Sequence, residues 1–295
     1  MKALVVCGRG PDWNDVMLYR ACRELLGPSR IVRACDLSAY VGPDGLRFWH
    51  GSRELSPPDV CFIRSLGPGN HEQLVSRLAV LRALASSGSL VVNPVQALEK
   101  VRDKFSALMA LREVGFSIPR TLLTESAYLA YSFSRSMPKF VFKPLTGSLG
   151  LGSMLFQDED LAFNILKLLE SKGCPLHLQE FVGDVKRELR VFVINGEVVA
   201  CVEKMAPGGP GSWRRNVALG ARVLEAETPG ELEKLCLRAL EKLGLFYAGI
   251  DVLEVGSSFV ALEVNGAPNW RGVQEATGKD IARLLVLKVK EMLKT

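Results

Sequence analysis

Three residues near the C-terminus, Asp251, Glu263 and Asn265, combine oxygen-bearing side chains with a spacing that can bring them together. They stand in two apolar runs, residues 246–254 and 259–264, separated by Val255-Gly256-Ser257-Ser258, the pattern of a β-hairpin. Side chains alternate along a strand, so Glu263 and Asn265 project from one face. A turn centred on Ser257 sets Asp251 across from Glu263 on that face. Two carboxylates would repel each other there without a cation, and hard oxygen ligands suit Mg²⁺ or Mn²⁺ carrying a nucleotide's phosphates. A wet face on an antiparallel sheet would use the same residues for solvation alone, so the hairpin by itself leaves both readings open.

Cations that could meet such phosphates lie upstream. Lys104 falls in Lys100-Val101-Arg102-Asp103-Lys104-Phe105, expected to open a helix that runs to about Val114 and stops at Gly115. Phe105, Leu108, Met109 and Arg112 recur along it at helical spacing. A lysine in a first turn is ordinarily solvated; beside a phosphate, the helix N-terminus adds its own attraction for the anion. Lys143 sits on the strand Phe140-Val141-Phe142-Lys143-Pro144, just before Thr146-Gly147-Ser148-Leu149-Gly150-Leu151-Gly152-Ser153. Closely spaced glycines let backbone N–H groups converge on an anion, with Gly147, Ser148 and Gly150 the candidates. The loop lacks the GxxxxGK[ST] pattern of a P-loop, and a plain turn would have the same composition. Further on, Pro207-Gly208-Gly209-Pro210-Gly211 cannot hold regular structure and leads to Ser212-Trp213-Arg214-Arg215-Asn216. Such a loop next to two arginines and an amide has the make-up of a lid over an anionic substrate, or of a surface loop with solvated arginines.

The elements that must position these residues are legible as alternations. Residues 1 to about 95 read as strand Leu4–Cys7, helix 14–26, strands Ile31–Ala34 and Val60–Ile63, helix 71–86 and strand 90–92, which predicts a helix-covered parallel sheet. Gly8-Arg9-Gly10 lacks the third glycine of a dinucleotide fingerprint, so this segment reads as scaffold. Asp158 is expected to cap a helix with a core stripe of Leu161, Ile165, Leu168 and Leu169, ending at Gly173. Leu176-His177-Leu178-Gln179-Glu180-Phe181-Val182 reads as a strand. Val191–Ile194 and Glu197–Val202 pair through Asn195-Gly196, a strong hairpin signal. Thr228-Pro229-Gly230-Glu231 reads as a capping box that starts a helix to Leu243. A last helix, from about Asp280 to Leu293, would pack through Ile281, Leu284, Leu285 and Leu287.

Composition narrows the class. A chain of 295 residues that is 48% hydrophobic and 23% charged is of ordinary globular type, with room for two or three domains. No apolar run approaches a bilayer span, so no membrane is expected. The first residues, Met1 to Gly8, read as a buried strand and not as a signal peptide. Seven scattered cysteines without CxxC or Cys/His clustering point to reduced thiols in a cytoplasmic protein, not to a disulfide framework or a zinc site. A net charge of +5 spread along the chain suits small anionic ligands better than a nucleic-acid groove.

The order of a helix-start lysine, a strand lysine, a glycine loop, Gln179-Glu180-Phe181-Val182 and then Asp251, Glu263 and Asn265 resembles the ATP-grasp superfamily, most closely its RimK-type α-L-glutamate ligases. That resemblance implies an α/β architecture: an ATP-grasp fold behind an N-terminal parallel-sheet (pre-ATP-grasp) domain. The implied division is 1–97 for that domain, 98–185 for a small subdomain with the glycine-rich loop and 186–295 for a C-terminal subdomain with the metal site. By the same resemblance, Lys104 and Lys143 would reach the nucleotide phosphates, and Gln179, Glu180, Phe181 and Val182 would form the hinge that holds adenine. Glu188, in Glu-Leu-Arg with Arg190, falls at the ribose position. Trp213-Arg214-Arg215-Asn216 is similar to the family's Phe-Arg-x-Asn segment near the phosphates, and Asp251, Glu263 and Asn265 match its Mg²⁺ ligands. Gly266-Ala267-Pro268 and Gly272 through Ala282 follow the family's ending. Departures fall at Ala218-Leu219, where the ribosomal-protein ligases have a His-Arg pair, and at Asn269-Trp270-Arg271. Both segments face the acceptor in that family. Ile63 through Gly69, and the stretch from Asn93 to Lys104, look more like the archaeal ligases that glutamylate tetrahydromethanopterin.

The implied reaction activates a carboxylate as an acyl phosphate at the expense of ATP, with Mg²⁺ or Mn²⁺. The amine of L-glutamate then attacks to give an amide. Arg214 or Arg215 would hold the acceptor carboxylate or the acyl phosphate. Phosphoryl transfer of this kind rests on positioning and electrostatics, in keeping with a chain whose only histidines are His50, His71 and His177. Other readings are a catalytically silent nucleotide-binding regulatory protein, an ATP-grasp ligase of amino-acid biosynthesis with another amine, or a different ATP-grasp chemistry. The sequence also leaves open a homo-oligomer.

Overall fold

The computed structural model describes residues 1–147, 151–205 and 222–294. The first part of the chain builds a parallel sheet from β1 (Ala3–Cys7), β2 (Ser29–Arg33) and two later strands. Between β1 and β2 lies α1 (Trp13–Leu25), whose start is closed by a reciprocal Asp12–Asp15 capping box. A three-stranded meander absent from the sequence reading follows: β3 (Leu37–Gly42), β4 (Gly45–His50) and β5 (Arg53–Glu54). Its strands are largely exposed and short on apolar alternation, which is why no pattern announces them. The sheet resumes with β6 (Val60–Ile63), crosses by α2 (His71–Ser86) and ends with β7 (Leu90–Val92), giving the order β2-β1-β6-β7 with all pairs parallel.

The segment expected to be one helix from Lys100 is two: α3 (Val95–Arg102) and α4 (Lys104–Glu113). Asp103 leaves helical geometry between them, and its carboxylate accepts the Phe105 N–H as the cap of α4. The stripe also differs from expectation. Ala107, Leu108 and Leu111 are buried, while Met109 is half exposed. Both helices pack on the C-terminal core, not on the small sheet that follows them in sequence.

That small sheet contains β8 (Thr121–Thr124), β9 (Phe140–Phe142), β10 (Met154–Phe156) and β11 (Leu176–Glu180), antiparallel in the order β10-β9-β11-β8. Helices α5 (Ala127–Ser134) and α6 (Glu159–Ser171) cover one face, enclosing Phe140, Phe142, Phe156, Leu176 and Leu178. Asp158 caps α6 as expected, but Leu161 and Leu168 point to solvent, and Ala162 and Leu166 are the buried positions.

A five-stranded antiparallel sheet completes the chain, from β12 (Arg187–Ile194), β13 (Glu197–Met205), β14 (Arg222–Glu225), β15 (Tyr247–Val255) and β16 (Ser258–Asn265), ordered β14-β13-β12-β15-β16. Asn195 and Gly196 both have positive φ at the β12–β13 turn, as that dipeptide demands. Helix α7 (Gly230–Leu243) buries Leu232, Cys236, Ala239, Leu240 and Leu243 against one sheet face. Each fully buried leucine contributes about 2 kcal/mol. Pro229 is the residue before its first turn and no side chain caps it, so the expected capping box is not formed. Of two last helices, α8 (Arg271–Thr277) packs on β13 and β14, and α9 (Ile281–Met292) packs back on α1; Leu287 of α9 is exposed, and Val286 and Val289 are buried in its stead. All seven cysteines are free thiols. Among the described residues no helix is long and apolar enough to cross a membrane.

One side chain ties the two larger sheets together. Asn93 is fully buried; its amide donates to the carbonyls of Tyr247 and Gly266, and its oxygen accepts the N–H groups of Phe246 and Tyr247. Gly266 can meet it because α3 passes so close that a Cβ there would lie 2.8 Å from Leu98 and 3.0 Å from Val101. Truncation by Asn93→Ala leaves several backbone groups buried without partners. At roughly 1–3 kcal/mol for each such group, the urea midpoint should fall by the equivalent of about 3 kcal/mol or more. An unchanged midpoint would refute this joint.

Candidate active site

The polar residues picked out in the C-terminal hairpin do share a face, by a route different from the expected one. Val255 pairs with Ser258, so the turn is centred between Gly256 and Ser257, and an unbroken ladder would set Asp251 against Leu262. A β-bulge after Asp251 absorbs one residue and restores Glu263 as the partner of Asp251, with Asn265 opposite Gly249. The Asn265 amide donates to Glu263 Oε1 at 3.2 Å. Glu263 Oε2 and Asn265 Oδ1 have no protein partner among the described residues, and both residues are partly exposed.

Asp251 is differently placed. It is 3% exposed and clasped by Arg190, with Nε to Oδ1 at 2.7 Å and Nη2 to Oδ2 at 2.6 Å. Lys204, itself 2% exposed, reaches the same Oδ2 at 2.6 Å and Glu188 Oε1 at 3.1 Å. Burial alone would raise the Asp251 carboxyl, but the Arg190 and Lys204 charges outweigh it and hold the group far below the usual carboxylate range. Burial disfavours the Arg190 charge, and Asp251 more than restores it.

Lys204 is the functional candidate that the sequence reading overlooked. A β12–β13 hairpin closed at Asn195-Gly196 without interruption would put Glu188 against Glu203, like facing like. A second bulge, between Phe192 and Val193, shifts the ladder and brings Lys204 opposite Glu188. An extra residue in the unalternating apolar run Val198-Val199-Ala200-Cys201-Val202 has no local signature, so only the frustrated Glu–Glu pairing could have betrayed it.

Across from this face stand the two lysines. Lys104, first residue of α4, donates to the Gly147 carbonyl at 2.9 Å. Lys143, just past β9, donates to Gln179 Oε1 at 2.5 Å. Burial lowers both ammonium pKa values; the Glu263 carboxylate counters this in each case, and for Lys143 the nearby Lys104 adds to it. The Glu263 carboxylate thus acts on both lysines, and the packing of α4 on β16 is what brings Lys104 near it. Gln179 is buried at the rim of β11. Glu180 is not free: Arg120 grips it with Nε and Nη2 at 3.1 and 3.0 Å. The Phe181 N–H is bonded to the Lys139 carbonyl at 3.1 Å. Val182 lies just beyond, half-buried. Ser148, Gly150, Arg214, Arg215 and Asn216 lie outside the described residues.

Trp270 is not presented to a ligand. It is fully buried, edge-on to Phe192, and lies 4.3 Å beneath the Arg64 guanidinium. Arg64 also donates to Asn269 Oδ1 at 3.1 Å; within Asn269-Trp270-Arg271, Asn269 and Arg271 are exposed and Trp270 alone is buried.

Among the described residues no three His, Cys, Asp or Glu side chains stand close enough to hold a metal ion. The set here instead fits a hard divalent cation through the free oxygens of Glu263 and Asn265, with Asp251 as a third, cation-clasped carboxylate beside them. The four charges Arg190, Lys204, Glu188 and Asp251 cancel one another, which leaves Lys104 and Lys143 as the cations beside Glu263 that can meet a polyphosphate.

The comparisons agree with that chemistry. Residues 101–289 match the RimK-like ATP-grasp domain. The chain is 31% identical over 283 residues to the tetrahydromethanopterin:alpha-L-glutamate ligase of Methanocaldococcus jannaschii, covering 94% of this chain and 92% of that protein. It is 28% identical over 299 residues to a probable alpha-L-glutamate ligase of Stenotrophomonas maltophilia, covering all of both. In fold it is similar to the ATP-grasp ligase PsnB complexed with a phosphomimetic variant of its minimal precursor, Mg and ADP, with TM-score 0.77, 20% identity and coverage of 99% of this chain and 98% of that one. The D-cycloserine synthetase DcsG is similar too, with TM-score 0.76, 18% identity and coverage of 99% and 100%.

The clasp on Asp251 has a measurable signature. Because its folded pKa is depressed, its stabilisation is present above the unfolded value near about 4 and is lost as pH falls through the folded one. Lys204→Met removes one of the two cations, so acid unfolding should begin at higher pH, with a stability loss at neutral pH of about 3 kcal/mol for a broken buried pair. An acid-unfolding curve that superposes on the wild type would contradict this assignment.

Proposed function

Because the chain belongs to the RimK-like ATP-grasp family, and so is an ATP-dependent carboxylate–amine ligase, we propose that it adds L-glutamate to a carboxylate of a small cofactor of the tetrahydromethanopterin type. What carries the site reading is the packing of α4 on β16, which brings Lys104 towards Glu263, together with the backbone bond from Lys104 to Leu145 that brings the Lys143 segment alongside. The names of the relatives in Methanocaldococcus and Stenotrophomonas support glutamate as the amine, and the first of them supports a pterin acceptor.

In this reading Lys104 and Lys143 bind the polyphosphate and offset the charge that moves onto the leaving ADP. Glu263 and Asn265, with Asp251, would hold a divalent cation; when bound, that cation supplies Lewis-acid neutralisation of the phosphate oxygens. Arg190 and Lys204 keep Asp251 ionised and fixed in place. Gln179 and the backbone around Glu180, Phe181 and Val182 form the adenine edge, with Arg120 holding the Glu180 carboxylate in position from outside. Glu188, locked by Lys204, is the acidic group nearest the ribose position. Arg214, Arg215 and Asn216 are assigned to the acyl phosphate and the acceptor on sequence alone. The substrate carboxylate becomes an acyl phosphate, and the α-amine of glutamate attacks it with departure of phosphate. Each step needs positioning more than a protein nucleophile.

The deciding assay follows phosphate release from ATP with Mg²⁺ and glutamate across pterin, deazaflavin and protein acceptors, recording product mass. A gain of one or more glutamates on a pterin supports the assignment, and a gain on a protein instead moves the acceptor. ATP binding without release under any pairing would favour a nucleotide-binding regulatory protein. Glu263→Gln should abolish turnover, by at least about a hundredfold for a lost charge-stabilising group, while circular dichroism stays unchanged. Turnover near wild type would sink the metal role of Glu263.

A further inference from the structure

His177 is fully buried, yet neither ring nitrogen has a hydrogen-bond partner among the described residues. Buried polar atoms are nearly always satisfied, and apart from a weak attraction to the Lys143 backbone, too poorly placed to close a hydrogen bond, this imidazole has nothing, so it calls for a partner that arrives later. Strand β11 sets its direction. Leu176 and Leu178 enter the small-sheet core, so His177 and Gln179 project from the other face. Leu178 stands against Phe142, and the Lys143 N–H donates to the His177 carbonyl, which makes Lys143 the cross-strand neighbour of His177 on that face. The charged groups around the ring are Lys143 after β9 and Lys104 and Asp103 at the start of α4. Burial, followed by the two lysines, holds the imidazole down at about 4, so at ordinary pH it is neutral, with one lone pair and one N–H.

A neutral acceptor beside two ammonium groups has a specific use. Here Lys143 rests on Gln179 Oε1 and Lys104 on the Gly147 carbonyl, both uncharged oxygens. An ammonium has three protons, and an acceptor on its protein side leaves the others turned towards the cleft. A carboxylate in the same place would instead neutralise the lysine and weaken its hold on an anion. We propose that His177 is a positioning residue for the nucleotide: its ring lone pair accepts a hydrogen bond from the Lys143 ammonium once phosphates draw that group off Gln179, and so aims the remaining protons at the phosphates. The inference rests on the nucleotide reading of the cleft.

The chain has three histidines, His50, His71 and His177, so protein labelled with ¹⁵N-histidine resolves the ring in question. On titration with ADP and Mg²⁺, the His177 ring nitrogens should shift while those of His50 and His71 hold still. The His177 ring should also remain neutral from about pH 6 to pH 8. His177→Leu suits the apolar strand but lacks the lone pair, and should weaken ADP about tenfold by calorimetry; His177→Gln keeps an acceptor and should stay within about threefold. If ADP binds while the His177 signals do not move, or if the leucine variant binds ADP as the wild type does, the positioning role is overturned and the nucleotide site stands. If the wild type does not bind ADP at all, the nucleotide reading has failed and this inference falls with it. Should the leucine variant not fold, the wild-type titration alone decides.

Discussion

Four ionised side chains packed away from water at one end of a sheet are the constraint around which this molecule is arranged. Arg190, Lys204, Glu188 and Asp251 each lose several kcal/mol of hydration, and they tolerate it only because every member is answered by an opposite charge in good geometry. That requirement reaches far beyond the four residues. It dictates the relative register of β12, β13 and β15, and it does so through backbone irregularities placed where the ladder would otherwise align the wrong partners. A buried network that is only partly satisfied would be worse than an apolar core, so the register has no neighbouring alternative.

The same face changes character along its length. Phe192, Ile194, Tyr247 and Val202 continue it into a hydrophobic core shared with the parallel sheet, while Glu188, Arg190, Asp251 and Glu263 occupy the end that meets the small sheet. Chemistry is thus confined to the seam between two separately cored pieces. Lys143 comes from the small sheet's side of that seam, and Lys104, at the start of α4, comes with the cation-binding oxygens from the other. Neither side alone has the composition of a binding site.

What the sequence made legible divides along physical lines. Asp251, Glu263, Asn265, Lys104 and Lys143 could be named because they are polar residues in apolar or glycine-rich settings, and the strands of the parallel sheet could be found because burial on both faces makes them uniformly apolar. Helix faces were less secure: in α4 and α6 leucine and methionine occur on both sides, and which side is buried depends on the neighbour. The split at Asp103, the β3–β5 meander and helix α8 left no periodic trace. Lys204 was invisible for the subtler reason that a single inserted residue in β13 reverses which charge meets which, and His177 looked like one more strand residue because nothing in a sequence records a missing hydrogen bond.

The division of cores has a consequence for how the chain comes apart. The parallel sheet and the five-stranded sheet share one continuous apolar interior and are riveted by Asn93, so neither can melt without exposing the other. The small sheet encloses its own cluster between α5 and α6. Amide exchange in this protein should therefore fall into two cooperative units, and the boundary between them is the very cleft in which the charges meet. A protein built this way can loosen its small sheet, and with it one wall of its binding site, while the larger body keeps its integrity.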